Sequence, residues 1–226
     1  MSEKVLYGLT GDTFKSIQFG AGAIFKNLAY QDVRTMADFN TLLTTAAAEG
    51  RMLGATDGGI KVNISATYGR PSLDGLGSIP FKGGLLPESL ECYIEATLKE
   101  VSPSKMQSIF PTSRFAMEDG DNAISQRINL NISNEDYADN VTWVATTNFG
   151  YIMVALFNAF GRANGAISSV DGVAGGGIPY RADGNVGDFH ETEFIPAEVK
   201  YYFTNVDDAA AEFDKIEEYK VVMPQP

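Results

Sequence analysis

Two stretches near the middle of the chain, residues 61–68 and 90–98, alternate strictly between apolar and polar side chains. The apolar positions are Val62, Ile64, Ala66 and Tyr68 in the first stretch, and Leu90, Cys92, Ile94, Ala96 and Leu98 in the second. A period of two places one face of a strand on a core and the other on a polar surface. We therefore predict two amphipathic strands, joined by a long glycine-rich loop over residues 69–89.

Two helices are indicated by their capping residues. Thr35 and Asp38 have the spacing of a capping box, and apolar residues then recur at helical intervals up to Gly50. Ser102 is a second N-cap, because it precedes a proline, which the first position of a helix tolerates. Pro111 is expected to end that helix.

Further strands are predicted over residues 127–132, 141–147, 151–160 and 192–203. The run 151–160 is apolar on both parities for most of its length, which is typical of a strand that is buried on two faces or against a partner subunit, and we expect it to be central. Pro196 places part of the last strand at a sheet edge. Residues 162–187 are rich in glycine, and they are expected to form a second long loop.

The predicted class is mainly β (α+β): a β-sandwich or barrel with one or two flanking α-helices and long inter-subunit loops. One domain is expected over residues 1–226, with an N-terminal extension and a C-terminal arm over residues 204–226. The pattern of Phe213, Ile216 and Tyr219 fits a helix, but the same segment also fits an extended arm.

The chain is strongly acidic, with 17 basic and 29 acidic side chains and a net charge of -12. Affinity for nucleic acid comes from lysines and arginines that displace counterions from phosphates. Specific binding of DNA or RNA is therefore not expected.

No catalytic residue, cofactor site or metal site is predicted. The single histidine, His190, has no recognisable partner nucleophile, and the single cysteine, Cys92, lies at an inward strand position and is expected to be a small buried hydrophobe. The glycines match neither a phosphate-binding loop nor a dinucleotide fingerprint. We therefore expect that the protein is not an enzyme.

A calcium-dependent carbohydrate-binding β-sandwich is an alternative. Its candidate calcium ligands are Asp183, Asn185 and Asp188, with Tyr180 as a platform for a sugar ring. Asp119 and Asp121 form a second acidic group. Neither group has the spacing of an EF-hand, so solvated acidic loops are the simpler interpretation.

Neither a secretory signal nor a membrane span is visible. The N-terminal residues lack a basic segment followed by an apolar one, and the longest apolar run, residues 151–157, is shorter than a bilayer crossing needs. The sequence thus predicts a protein that folds in a cytoplasm without a membrane partner.

Six pieces follow one another along the chain: Asp74-Gly-Leu-Gly77, Phe81-Lys-Gly83, the strand over residues 90–98, Lys99-Glu-Val-Ser-Pro-Ser-Lys-Met106, Tyr151-Ile-Met-Val-Ala-Leu-Phe157 and Phe194-Ile-Pro-Ala-Glu-Val-Lys200. In the order of these pieces, the chain resembles the major tail proteins of long-tailed bacteriophages, which build the tail tube. The length of the chain looks more like that of subunits from flexible, non-contractile tails. The resemblance covers residues 19–203. The order of the pieces carries it, since none of them is specific alone.

The resemblance implies a virion structural protein that assembles into stacked hexameric rings. Its partners would be further copies of itself and tape-measure, tail terminator and baseplate proteins, and genomic DNA would pass through without specific binding. Another virion ring protein, such as a terminator, a head decoration or a baseplate subunit, is an alternative.

The resemblance also implies roles for two groups of residues. The inter-ring loop candidates are Asp74, Gly75, Leu76, Gly77, Phe81 and Lys82. The lumen-facing candidates are Glu91, Glu95, Asn129 and Asn131. An acidic subunit would offer phosphates no affinity from counterion release and would repel them over a Debye length of about 8–10 Å, so that DNA keeps sliding.

Overall fold

The computed structural model describes residues 18–70, 84–117, 122–164, 177–187 and 195–216. The strands in these ranges are β1 (Gln18–Lys26), β2 (Thr56–Gly69), β3 (Leu86–Leu98), β4 (Ser113–Ala116), β5 (Ser125–Ile128), β6 (Ala138–Thr147), β7 (Gly150–Ala163), β8 (Ile178–Asp183) and β9 (Ala197–Phe203). The helices are α1 (Met36–Ala48), α2 (Pro103–Ile109) and α3 (Val206–Asp214). The protein is mainly β, as the sequence predicts.

Seven strands form one curled antiparallel sheet. Its order is β1-β6-β7-β8-β3-β2, and β9 also pairs with β7. The two end strands of the sheet, β1 and β2, approach each other. Residues 51–53, which lead into β2, run along the outer edge of β1. There Leu53 N–H donates to the carbonyl of Ile24 at 2.8 Å. The curl produces a half-barrel, beside which β4 and β5 form a separate two-stranded sheet.

Strand β7 belongs to both halves of the curl. One edge pairs with β6 along most of its length, from Gly150 to Ala159. The other edge pairs first with β9, over residues 150–156, and then with β8, over residues 160–163. The predicted central strand is thus confirmed, and it carries three neighbours instead of two.

The changeover between β9 and β8 lies at Asn158, whose φ of 45° is in the left-handed region. Asparagine adopts this region more readily than most residues. The side-chain amide of Asn158 donates to the carbonyl of Asn185 at 3.2 Å, and the Asn185 amide donates back to the Asn158 carbonyl at 2.9 Å. We call this reciprocal pair the β7 fork, because the strands β8 and β9 diverge there.

The main core fills the concave side of the curled sheet. Its buried members include Ile94, Trp143, Leu156 and Ile178, and Cys92 is buried among them, as the sequence predicts. A second core lies on the opposite, convex face of β6, β7 and β9 under α1. There Phe39 stacks on Tyr202, with ring centroids 3.9 Å apart.

Helix α1 is positioned by its cap and by a buried amide. The Thr35 hydroxyl accepts from Asp38 N–H at 3.2 Å, which confirms the predicted capping residue. Ahead of the helix, the buried Asn140 side chain bonds both the N–H and the carbonyl of Leu28, at 2.9 and 3.1 Å. This amide fixes the connection from β1 to α1 over the convex face.

Helix α2 begins after Ser102 and ends before Pro111, as predicted. It packs so closely on β7 that a Cβ at Gly161 would lie 2.5 Å from the carbonyl of Ser108. Glycine is therefore needed at this position, because any side chain would push the helix off the sheet.

Three predictions differ from the structure. Residues 178–183 form β8, inside a segment expected to be loop, because Tyr180 and Ala182 are buried against the core. The strand predicted over residues 127–132 stops at Ile128, after which the alternating residues have no pairing strand. The loop predicted over residues 69–89 is shorter, because β3 begins at Leu86.

The C-terminal segment, for which helix and arm were both open, contains α3 over Val206–Asp214. The Asn205 side chain caps this helix by accepting from Asp207 N–H at 3.1 Å. Residues 217–226 of the predicted arm lie outside the described residues. None of the helices within the described ranges combines the length and the apolar character that a membrane crossing requires.

We expect Asn158→Ala to lower the free energy of unfolding by about 2 kcal/mol, because it removes one hydrogen bond and replaces asparagine with a residue that tolerates positive φ less well. Asn158→Gly loses the same bond without the backbone strain, so it should cost about 1 kcal/mol less than alanine. Urea denaturation measures both, with exposed Asn131→Ala as the control. Equal losses for alanine and glycine would contradict the assigned backbone role.

Candidate assembly surface

The distal half of the β2–β3 hairpin extends beyond the body of the protein. We call residues 64–69 of β2 and 86–91 of β3 the hairpin arm. Strand β8 pairs with β3 only from Tyr93 to Leu98, so the arm has no third strand in the described part of the chain. With a rise of about 3.3 Å per residue, the arm is about 20 Å long.

One face of the hairpin arm is apolar and uncovered. Ile64, Tyr68 and Leu90 are 37%, 58% and 41% exposed, respectively. They lie on the same face of the hairpin as Val62 and Ile94, which pack in the main core. The apolar face of the hairpin therefore begins inside the core and continues into solvent. Exposed apolar surface of this kind is typical of a binding site for another protein.

The opposite face of the hairpin arm is polar from its base as far as Thr67 and Ser89, and Leu86 lies on this face at the far end. The Asn63 amide donates to the Ser65 hydroxyl at 2.9 Å and to the carbonyl of Glu91 at 3.3 Å. The bond to Glu91 crosses from β2 to β3 near the base of the arm. It stabilises the pairing of the two strands where β8 no longer supports it.

A row of charged residues crosses the same polar face closer to the body. Lys61, Glu95, Arg181 and Arg162 are direct cross-strand neighbours on β2, β3, β8 and β7. We call these four residues, with Asp183, the charged row. Glu95 lies 3.5 Å from Lys61 and 3.3 Å from Arg181, measured from carboxylate oxygen to nitrogen.

Asp183 joins the two arginines of the charged row. Its carboxylate accepts from Arg181 at 2.6 Å and from Arg162 at 2.8 Å. The Arg181 guanidinium also lies 3.8 Å from the centre of the Tyr93 ring. Burial disfavours the charged guanidinium, but the nearby carboxylates of Asp183 and Glu95 outweigh it, so the pKa of Arg181 is raised.

The structure separates the four lumen-facing candidates. Glu91 and Glu95 share the polar face of β3, although Glu95 is already paired with cations. Asn129 and Asn131 follow β5 in the separate sheet, where Asn131 N–H donates to the Asn129 side chain at 3.1 Å. The prediction treated 127–132 as a strand comparable to β3, but this segment does not join the main sheet.

The inter-ring loop candidates Asp74, Gly75, Leu76, Gly77, Phe81 and Lys82 lie outside the described residues. The sequence prediction for them therefore stays a prediction. Both ends of their segment belong to the hairpin arm or adjoin it.

The alternative calcium site receives no support from the described residues. The Asp183 carboxylate is bound by two arginines, and the Asn185 amide bonds the carbonyls of Asn158 and Asp183. Tyr180 is buried in the main core, so its ring is not a surface platform. Asp188, Asp119, Asp121 and His190 lie outside the described residues. Within those residues, no three His, Cys, Asp or Glu side chains group closely enough to hold a metal ion.

The largest difference from the sequence analysis is the hairpin arm. Strand periodicity identified its apolar face but assigned it to a core, because the pattern of alternation is the same on covered and uncovered strands. The glycine-rich connection was the one signal that the hairpin is long. A comparison with protein-family models and with curated proteins finds no match to this chain.

We expect Arg181→Ala to lower the free energy of unfolding by about 1–2 kcal/mol, because it removes a cation–π contact and the nearest cationic partner of both Glu95 and Asp183. Arg181→Lys should recover part of the loss, since it restores charge but not the planar fork. Urea denaturation at low and high salt measures both, with exposed Arg127→Ala as the control. A loss for Arg127→Ala as large as for Arg181→Ala would contradict the role of the charged row.

Proposed function

We propose that this protein is a virion structural protein that self-assembles into stacked hexameric rings to form the tail tube of a long-tailed bacteriophage. The observation that carries the proposal is the hairpin arm, whose apolar face leaves the core and is uncovered in the single chain. Covering half-exposed side chains such as Tyr68 and Leu90 contributes about 1 kcal/mol each, so association of copies is favoured.

A further feature, the free strand edges, supports assembly of this kind. The curled sheet leaves free strand edges, on β2 and on the distal part of β3 within the described residues, and such edges pair readily with another chain. In a ring of copies, neighbouring sheets would remove these edges. Tape-measure, tail terminator and baseplate proteins are the proposed partners inside the tube and at its ends.

Conduction of DNA is the proposed mechanism, and it requires a surface that does not hold phosphates. The net charge of -12 favours this at long range. If the polar face of β3 lines the lumen, the cations Lys61, Arg162 and Arg181 of the neighbouring strands line it too. Each of them is already held in an ion pair, with Glu95 or with Asp183. A cation held in an ion pair gains less from a phosphate, because that contact must replace an existing one.

The assembly experiment compares the wild-type chain with Leu90→Glu on the hairpin arm. At high concentration, we expect regular hollow tubes from the wild type by negative-stain electron microscopy, and a shift to monomers in Leu90→Glu by sedimentation. A buried charge at the arm would cost several kcal/mol per contact. The matched control is Val206→Glu, since Val206 is also exposed but lies on α3.

Each outcome of this comparison has a distinct meaning. Single closed rings in the wild type would favour another virion ring protein, such as a tail terminator, a head decoration or a baseplate subunit. Monomers at every concentration, or equal assembly by Leu90→Glu, would contradict the role of the hairpin arm.

We expect Glu95→Gln to increase retention of double-stranded DNA about tenfold at 50 mM salt, because it releases Lys61 to contact phosphates and leaves Arg181 paired with Asp183 alone. The increase should disappear at high salt. Filter binding measures it, with Asp139→Asn as a control that changes the net charge equally at an exposed site on β6. The same increase in Asp139→Asn would show that net charge, not the ion pairing of the charged row, limits DNA binding.

A further inference from the structure

A second apolar surface is uncovered on β9, the strand that pairs with β7 ahead of the β7 fork. Strand β9 presents Val199 and Tyr201, which are 40% and 54% exposed. Phe149 packs beside them, with its ring stacked on Phe203 at 4.7 Å and lying 6.3 Å from Tyr201. We call Phe149, Val199, Tyr201 and Phe203 the β9 platform.

The β9 platform lies on the core side of its strand. Val199 and Tyr201 are cross-strand neighbours of Val154 and Ile152, which belong to or pack against the main core. The alternate residues of β9 face the other way, where Tyr202 stacks on Phe39 under α1. Beyond the β7 fork, the concave face therefore continues onto β9 without an opposing layer.

The charged residues of β9 do not disturb this platform. Glu198 accepts from the Tyr30 hydroxyl at 2.9 Å, and Lys200 donates to the carbonyls of Tyr30 and Val33 at 3.3 and 3.0 Å. Both side chains are thus engaged on the convex side. The β9 platform is apolar, as is the uncovered face of the hairpin arm, so contact between the two would bury no charge.

We propose that the hairpin arm of one copy packs face to face on the β9 platform of a second copy. Both surfaces are continuations of the same core, and both stay exposed in the folded chain, so they do not cover each other within one copy. Each copy carries one arm and one platform. This head-to-tail contact is heterologous and can close a ring or propagate along a filament. The inference rests on the proposed self-assembly and names the surface that receives the arm.

The chief competing surface is the exposed apolar row Ile128, Leu130 and Ile132, in which Leu130 is 93% exposed. It follows the end of β5, and its last two residues lie outside any strand. The β9 platform fits better, because a regular strand offers a row of side chains on which the apolar face of another sheet can pack. The competing row therefore supplies the control for the experiment.

The test mixes two singly substituted chains, Leu90→Cys and Tyr201→Cys, at a concentration at which the wild type assembles. Facing sheets lie about 10 Å apart, beyond the reach of a disulfide, so a short bifunctional thiol cross-linker of about that span is used. The native Cys92 is buried, and wild-type chains serve as the blank. We expect a covalent dimer that contains one chain of each kind, in at least fivefold higher yield than from Leu90→Cys mixed with Leu130→Cys.

The possible results separate this inference from the proposed function. Assembly together with stronger cross-linking to position 130, or with no cross-linking to position 201, would overturn the arm-to-platform contact and leave self-assembly intact. A chain that remains monomeric by sedimentation and gives no cross-link at either position would overturn both.

Discussion

The β7 fork is the constraint on which the rest of the architecture depends. One long strand keeps β6 along one edge and divides the other edge between β9 and β8, so the sheet must bend where its partner changes. Asn158 supplies the positive φ at this point, and its amide exchange with Asn185 replaces the ladder bonds that the divergence removes. The bend folds one sheet over a single core.

The same bend explains why apolar surface remains uncovered. The two halves of the sheet face each other only where they pack on the main core, and beyond it the hairpin arm and β9 continue without an opposing layer. The charged row lies on the other face of β2, β3 and β8, where cross-strand ion pairs hold the base of the arm. A rigid base and an apolar distal face suit a subunit that docks on copies of itself.

Strand periodicity and capping chemistry were sufficient for much of the fold. The alternation in β2 and β3, the doubly apolar run of β7, and the capping residues Thr35 and Ser102 all act locally, so the sequence reveals them directly. Strand β8 was missed because its glycine-rich surroundings favour loops, while its pairing with β3 and β7 is a long-range effect. Similarly, alternation continues past Ile128 although no partner strand is present there.

Part of the candidate assembly surface could likewise be predicted from the sequence, and part of it could not. The sequence by itself determined which side chains of the hairpin share a face, because the period of two is a property of the extended backbone. It also determined the acidic charge. Only the tertiary structure decided where the core ends along that face, which leaves Tyr68 and Leu90 in solvent, and which cations pair with Glu95. Burial and ion pairing depend on residues distant in the chain, brought together by the bend at Asn158, and no local pattern encodes them.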